Sequence, residues 1–203
     1  MLLEFNQICN KYKLNINGVI HIGAHYGQEY DIYKNRGINN LMYFEPLEKN
    51  FNVLLGNVGS DSICYKMALG NENKKVKMFV ESANHGMSSS VLEPKHHLIQ
   101  YPHIIFDQQE EVEMMRLDDI EFDRSKYNMI NIDVQGYELE VFKGGMETLK
   151  SVDYIITEIN NVHLYENGAL IDELKVFLGS YGFELVESYW AGGTWGDGLF
   201  IKK

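Results

Sequence analysis

The chain has 203 residues, 45% of them apolar and 12% aromatic, which supports one compact core and argues against two full-sized domains. Charged residues make up 23% and only 3 prolines occur, so disordered, collagen-like and low-complexity classes do not fit. Acidic residues outnumber basic ones by 29 to 18, and the net charge of −11 argues against binding to nucleic acid or to an anionic membrane surface.

The N-terminal part of the chain predicts two helices separated by a buried strand and a glycine turn. Apolar residues at helical spacing between 5 and 12 predict a short helix within an N-terminal extension, residues 1–17. The run 19–22 predicts a buried strand, and residues 23–27 form a turn before a helix over 28–36. The succession of strand, glycine turn and helix indicates an α/β fold.

The same alternation continues along the chain and predicts parallel strands with helical crossovers. Further strands are predicted over 41–44, 63–67, 129–133 and 154–158, with helices over 50–55, 138–143 and 171–178. The last two predicted strands, 184–190 and 198–201, are joined by a loop so short that they are expected to pair antiparallel. No linker or repeat interrupts the pattern, so we interpret residues 1–203 as one domain.

One long segment departs from this regularity. Strands are predicted over 76–80 and 112–115, and residues 82–109 between them are polar, rich in histidine and without clear periodicity. Long irregular segments inside compact domains often form lids or binding loops. We therefore expect residues 82–109 to cover the site as a lid or substrate loop.

The candidate site residues are those that end the predicted strands, because ligands of open parallel sheets bind beyond the carboxyl ends of the strands. Gly23 and Gly27 allow a tight turn and a close approach of the backbone to a ligand. Glu45 ends the second strand, where an acid can accept both hydroxyls of an adenosine ribose. His25 stands where a dinucleotide fingerprint needs a second glycine, which favours S-adenosylmethionine over a pyrophosphate-containing cofactor.

The sequence also resembles the FkbM family of S-adenosylmethionine-dependent methyltransferases. The ordered segments that carry this resemblance are VIHIGAHYGQ at 19–28, YFEP at 43–46, MSSS at 87–90, RLDD at 116–119, NIDVQGYEL at 131–139 and TE at 157–158. The resemblance implies the class I methyltransferase fold, a Rossmann-like three-layer sandwich. Its sheet has seven strands in the order 3-2-1-4-5-7-6, mostly parallel with an antiparallel last strand.

The resemblance further implies O-methylation of a hydroxyl, and we predict that the acceptor is a sugar or glycan. Two residues depart from the family pattern, because His21 stands where Asp is frequent and Gln135 where Glu is common. The residues expected to contact the cofactor are His21, Gly23, Ala24, His25, Gly27, Glu45, Pro46, Ala68, Ser88, Ser89, Asp133 and Gln135.

The hydroxyl proton requires an acceptor, and three residues are candidates for this catalytic role. Asp133 and Glu158 end neighbouring predicted strands, which lie about 4.8 Å apart in a sheet. They can share a hard cation such as magnesium or manganese, with Asn160 as a third ligand, or act as base and orienter without a metal. His163, just beyond the fifth strand, is an alternative general base.

Two other functions remain alternatives at this stage. A nicotinamide-dependent oxidoreductase is disfavoured by the missing second glycine and by the lack of a Tyr-x-x-x-Lys pair, and a non-catalytic module with the cofactor fold is disfavoured by Asp133 and Glu158. Cys9 and Cys64 are too few to indicate a disulfide framework, and no apolar run reaches the roughly 18 residues of a membrane span. We therefore expect a cytoplasmic protein without membrane insertion.

Overall fold

A computed structural model describes residues 1–203, which form two β-sheets and seven α-helices. The strands are β1 (Gly18–Ile22), β2 (Asn40–Phe44), β3 (Ile63–Tyr65), β4 (Ala68–Leu69), β5 (Lys74–Glu81), β6 (Phe106–Met115), β7 (Met129–Ile132), β8 (Tyr154–Asn160), β9 (Phe183–Ala191) and β10 (Trp195–Lys202). The helices are α1 (Phe5–Tyr12), α2 (Tyr30–Asn35), α3 (Glu48–Asn57), α4 (His96–Gln100), α5 (Glu138–Gly144), α6 (Met146–Ser151) and α7 (Ile171–Gly179).

The larger sheet has seven strands in the order β3-β2-β1-β7-β8-β10-β9. Its strands are parallel except β10, which pairs antiparallel with both β8 and β9. When only the seven strands of this sheet are numbered along the chain, their order in the sheet is 3-2-1-4-5-7-6. The predicted class I methyltransferase fold is therefore confirmed. In β1, Ile22 lies opposite Phe44 on one side and Ile132 on the other, which brings the carboxyl ends of β1, β2 and β7 to one edge.

The core fills both faces of this sheet because successive strand residues point to opposite sides. Ile20 and Ile22 belong to a buried cluster with residues of α5, α6 and α7, whereas Val19 belongs to a cluster with α1, α2 and α3. Every residue of β1 is buried, including His21 within its otherwise apolar run. Helix α1 joins the second cluster through Phe5, so the N-terminal segment packs against the domain.

A second, three-stranded sheet was only partly predicted. The strand predicted over 63–67 ends at residue 65, and residues 68–69 instead form β4 beside β6. Strands β5 and β6 pair antiparallel and are longer than predicted, so residues 106–109 lie in a strand and not in the irregular segment. The alternation of apolar and polar residues in these strands is weak because long stretches of them are exposed and charged. Lys75 of β5, for example, lies 3.5 Å from Glu113 of β6.

Residues 82–105 connect the two long strands of the second sheet and contain the short helix α4. The backbone N–H groups of Lys95 and His97 donate to the carbonyl oxygen of Leu164, at 2.9 and 3.0 Å, so this segment is attached to the loop that follows β8. Its role as a lid stays a prediction. No helix of the protein combines the length and the apolar character that spanning a bilayer requires.

Candidate active site

Three adjoining cavities lie at the carboxyl edge of the larger sheet. The inner cavity lies beside Glu45, the central cavity beside His21 and Glu29, and the outer cavity beside His97 and Trp195. Residues shared by the inner and central cavities are Gly23, His25, Met87 and Asp133, and residues shared by the central and outer cavities are Met1, Met87, Asp133, Glu158 and Asp197. Asp133 therefore lies where the three cavities meet.

Most of the residues predicted to contact the cofactor line these cavities. The inner cavity is lined by Gly23, His25, Glu45, Pro46, Ala68, Ser89, Asp133 and Gln135. The central cavity adds His21 and Ala24, and the outer cavity adds Ser88. The structure does not bring Gly27 to any of the three, and a side chain at this position would meet Leu54 of α3 at 2.7 Å, so this glycine permits helix packing.

The turn after β1 requires glycine at position 23. Gly23 has a φ of +75°, and a Cβ atom built there would lie 1.9 Å from the carbonyl oxygen of Asp133. The turn is fixed to β2 because the N–H groups of Gly23 and Ala24 both donate to the carbonyl of Phe44 at 3.0 Å. Glycine at this position therefore allows the turn after β1 to pack against the backbone at the end of β7.

Glu45 occupies the position at the end of β2 that the sequence predicts for a ribose-binding acid. Its Oε2 accepts from the N–H of His25 at 2.9 Å and its Oε1 from the N–H of Leu47 at 3.0 Å. Burial raises the pKa of Glu45 to about 7. The two backbone bonds fix the carboxylate at the wall of the inner cavity, where its remaining lone pairs can accept ligand hydroxyls.

Gln135 links Asp133, which follows β7, with Glu158, which lies near the end of β8. Its Nε2 donates to Asp133 Oδ1 and to Glu158 Oε2, each at 2.7 Å, and its Oε1 lies 2.8 Å from the hydroxyl of Tyr165. Gln135 has a φ of +55°, a strained conformation for a residue with a side chain, and Ser90 Oγ donates to its carbonyl at 2.8 Å. Asp133 and Glu158 are thus brought together as expected, with an amide between them.

A third carboxylate, that of Glu138, completes an acidic cluster. Oxygen atoms of Asp133, Glu138 and Glu158 lie within 4.8 Å of one another. Burial, and next to it repulsion from Asp133, raises the pKa of Glu158 well above its ordinary value, and burial raises that of Glu138 to about 7. Burial, with repulsion inside the cluster, therefore favours the neutral forms of Glu138 and Glu158.

The donor set of this cluster agrees only in part with the predicted cation site. Carboxylate and amide oxygens suit magnesium or manganese, and the Oδ1 of Asn160 is buried without a partner. Asn160, however, donates through Nδ2 to Glu158 Oε1 at 2.9 Å, and the amide group of Gln135 already connects Asp133 with Glu158. A cation shared by these two acids would have to displace that amide.

His163 lies apart from the cluster. It is exposed, its Nδ1 lies 2.8 Å from the carbonyl oxygen of Gly168, and it lines none of the three cavities. Its role as a base stays a prediction that this placement does not favour.

Several residues of the site were not among those predicted from the sequence. Glu29 lines the central cavity, and Asp197 lies opposite Glu158 in the register of β8 and β10. His97 lines the outer cavity, and Tyr165 contacts Gln135. Asp197 belongs to the segment WGD at 195–197, which resembles one branch of the FkbM family, but that resemblance assigned the residue no role.

Comparisons with known proteins agree with this geometry. A family model described as a methyltransferase FkbM domain matches residues 21–185. The 2-O-methyltransferase NoeI of Sinorhizobium fredii is 38% identical over 105 residues, which are 51% of this chain and 42% of NoeI, so the match spans less than half of that relative.

Solved structures share the fold at low sequence identity. Streptococcus pneumoniae Sp1610 in complex with S-adenosyl-L-methionine is 13% identical with a TM-score of 0.53, and the match covers 100% of this chain and 73% of that one. Magnesium protoporphyrin IX methyltransferase from Synechocystis PCC 6803 with bound S-adenosylmethionine is 7% identical with a TM-score of 0.53, covering 97% and 74%. At these identities the likeness shows the fold alone.

Proposed function

The chain belongs to the FkbM methyltransferase family, and we propose that it transfers a methyl group from S-adenosylmethionine to a hydroxyl of a sugar or glycan. The observation that carries this proposal is the position of Asp133, at the junction of an inner cavity that contains Glu45 and an outer cavity lined by polar and aromatic side chains. The similarity to a 2-O-methyltransferase supports the choice of a hydroxyl acceptor.

The inner cavity fits the nucleoside part of the cofactor. Gly23 lines this cavity with backbone only, and Glu45 presents a fixed carboxylate to ribose hydroxyls. When bound there, S-adenosylmethionine supplies an electrophilic methyl group on a sulfonium centre. The acids at the cavity junction offset that positive charge.

The outer cavity positions the acceptor. It encloses about 400 Å³, within the range of small-molecule sites, and Tyr101 and Trp195 provide aromatic surface on which the apolar face of a sugar ring can stack. Holding the hydroxyl in line with the methyl group can supply much of the rate acceleration.

The carboxylate pair receives the proton that the hydroxyl loses. Asp133 lines all three cavities, and Gln135 orients its carboxylate by donating to Oδ1. Burial favours the neutral form of Glu158, which is hydrogen-bonded to the same amide, so Asp133 is the member of the pair that accepts the proton. These residues act as base and orienter with no metal, which was one of the two arrangements expected from the sequence.

The proposal is tested by methyl transfer to a panel of sugars, measured as the mass gain of one methyl group with S-adenosylmethionine present. Thermal shift with S-adenosylhomocysteine and with NAD distinguishes the oxidoreductase, because a ligand that binds the native state raises the Tm. Stabilisation by NAD alone would overturn the proposal.

The base and the metal are tested in the same assay. We expect Asp133→Asn and Glu158→Gln each to lower kcat by about 10²–10⁴-fold, the usual contribution of general base catalysis. Transfer should persist after exhaustive chelation. Activity that requires added magnesium or manganese would show that a cation displaces the Gln135 amide, and full activity in both variants would remove these acids from the chemistry.

A further inference from the structure

The central cavity holds the amino-acid portion of the cofactor if the proposed function is correct. The inner cavity contains Glu45, the partner of the ribose, and it adjoins the central cavity through Gly23, His25 and Asp133. The methionine part extends from the ribose carbon, so it lies on the other side of Gly23, in the central cavity. This portion carries an ammonium group that needs a negatively charged partner.

Residue 21 cannot be that partner. His21 is 4% exposed, and burial lowers the pKa of its imidazole, so the ring is neutral. Its Nε2 lies 3.3 Å from the amide nitrogen of Asn131, and its Nδ1 is inaccessible to solvent. Because Nε2 contacts Asn131 and Nδ1 is shielded from solvent, neither ring nitrogen is accessible to an ammonium group in the cavity.

Glu29 lines the same cavity and already contacts an ammonium group. The α-amino group of Met1 lies 3.5 Å from Glu29 Oε1, and the Glu29 side chain is 16% exposed. Burial alone would raise the pKa of this carboxyl, and the contact with an ammonium group opposes that effect. Glu29 therefore carries its negative charge while an ammonium group occupies this position.

The other acids of the central cavity have partners on the chain. Asp133 and Glu158 accept from Gln135, and Asp197 accepts through Oδ2 from the backbone N–H of Leu2 and from that of Leu3. Glu29 alone has an ammonium group as its side-chain partner.

We propose that Glu29 binds the ammonium group of the cofactor's methionine portion, in the place of an acid at position 21. The contact between the Met1 nitrogen and Glu29 Oε1 shows that the cavity admits a nitrogen donor at this position. On binding, the ammonium group of the ligand takes over this contact. The structure thereby assigns to the residue that precedes α2 a cofactor-binding role that compensates for the histidine in β1.

The experiment measures affinities of two ligands by calorimetry. S-adenosylhomocysteine carries the ammonium group, and 5′-methylthioadenosine lacks the amino-acid portion. We expect Glu29→Gln to weaken S-adenosylhomocysteine roughly 10-fold or more, the scale of a lost charged hydrogen bond, and to leave 5′-methylthioadenosine unchanged. Glu29→Asp should retain part of the affinity because it keeps the charge. Asp31 is an exposed acid in α2, two residues beyond Glu29. Asp31→Asn is therefore the matched control and should change the affinity for neither ligand.

The outcomes separate this inference from the proposed function. Equal affinity of wild type and Glu29→Gln for S-adenosylhomocysteine would overturn the assignment of Glu29, as would an equal loss for both ligands. If the wild-type protein bound neither ligand, the proposed function would fail as well. Glu45→Gln should weaken both ligands, because both contain the ribose.

Discussion

Glu45 illustrates how one buried carboxylate couples ligand binding to pH. It is 5% exposed, and burial rather than a charged neighbour raises its pKa from 4.5 to about 7. In this pH interval the folded protein binds a proton that the unfolded chain releases, so the contribution of Glu45 to stability is present below about 4.5 and is lost as the pH rises through 7. Ligand binding has the opposite dependence, because ribose hydroxyls donate to the ionised form.

We predict that the affinity for S-adenosylhomocysteine rises with pH up to the pKa of Glu45. Below pH 7 the carboxyl must lose its proton before it accepts both hydroxyls, so Kd should fall by up to about tenfold per pH unit between 5.5 and 7 and then level off. Calorimetry over this range measures the slope. Glu45→Gln should bind more weakly and with a smaller slope, and an identical slope in the variant would show that another group is responsible.

The predictability of site residues depended on their position in the sheet. Glu45 and Asp133 were predictable because each directly follows an apolar strand, and Glu158 because it lies near the carboxyl end of β8. The carboxyl ends of parallel strands share one edge of the sheet. Glu29 and Asp197 were not, since their contacts depend on tertiary structure. Asp197 reaches the site only because the register of β10 places it opposite Glu158. That register is set by packing and not by any local motif.

At the scale of elements, strand existence was easier to predict than strand length. Strand β6 was expected over 112–115 and runs from 106 to 115, because its outer half has no buried face to produce alternating hydrophobicity. Helix α6 was not predicted at all, since the pair Gly144–Gly145 reads as a stop. Residues 82–105 were recognised as exceptional by their polarity, but the helix within them is too short for a periodic signal.

Helix α4 is attached to the β9–β10 turn by a small hydrogen-bond network around Tyr101. Its hydroxyl accepts from Trp195 Nε1 at 2.7 Å and from Gln100 Nε2 at 2.9 Å, and Thr194 Oγ1 donates to Gln100 Oε1 at 2.8 Å. The network joins the predicted lid to the far wall of the outer cavity. None of these residues lines the inner cavity.

We predict that Tyr101→Phe impairs acceptor binding without affecting the cofactor. The change leaves the Trp195 indole N–H without its partner at a cost of about 1–3 kcal/mol, so the outer cavity loses its fixed shape. The acceptor KM should rise roughly tenfold, with an unchanged Kd for S-adenosylhomocysteine. Tyr189→Phe, at an exposed position of β9, is the control and should change neither. An unaltered KM, or a parallel loss of cofactor affinity, would contradict the role of this network.

At the scale of the whole molecule, the positive charges lie away from the site. Lysine and arginine side chains pair with acids outside the cavities, as Lys95 does with Glu93 at 3.0 Å and Arg124 with Asp118 at 3.8 Å. None of the 18 lysines and arginines lines the inner, central or outer cavity. The remaining basic groups there are histidines and the Met1 ammonium, and burial lowers the pKa of His97.

This distribution predicts that the acceptor carries no anionic group near the methylated hydroxyl. Asp133, Glu158 and Asp197 line the outer cavity, and the bound cofactor brings only one net positive charge. A carboxylate about 5 Å from one negatively charged acid meets a repulsion of about 3 kcal/mol at an effective dielectric constant of 20. A methyl glucoside should therefore exceed the matching glucuronide in kcat/KM by at least about tenfold, and added salt should narrow the difference. The pair differs only at C6, so steric effects are small, and Asp197→Asn should reduce the preference. Equal kcat/KM for the two sugars at low salt would show that the cavity does not select by charge.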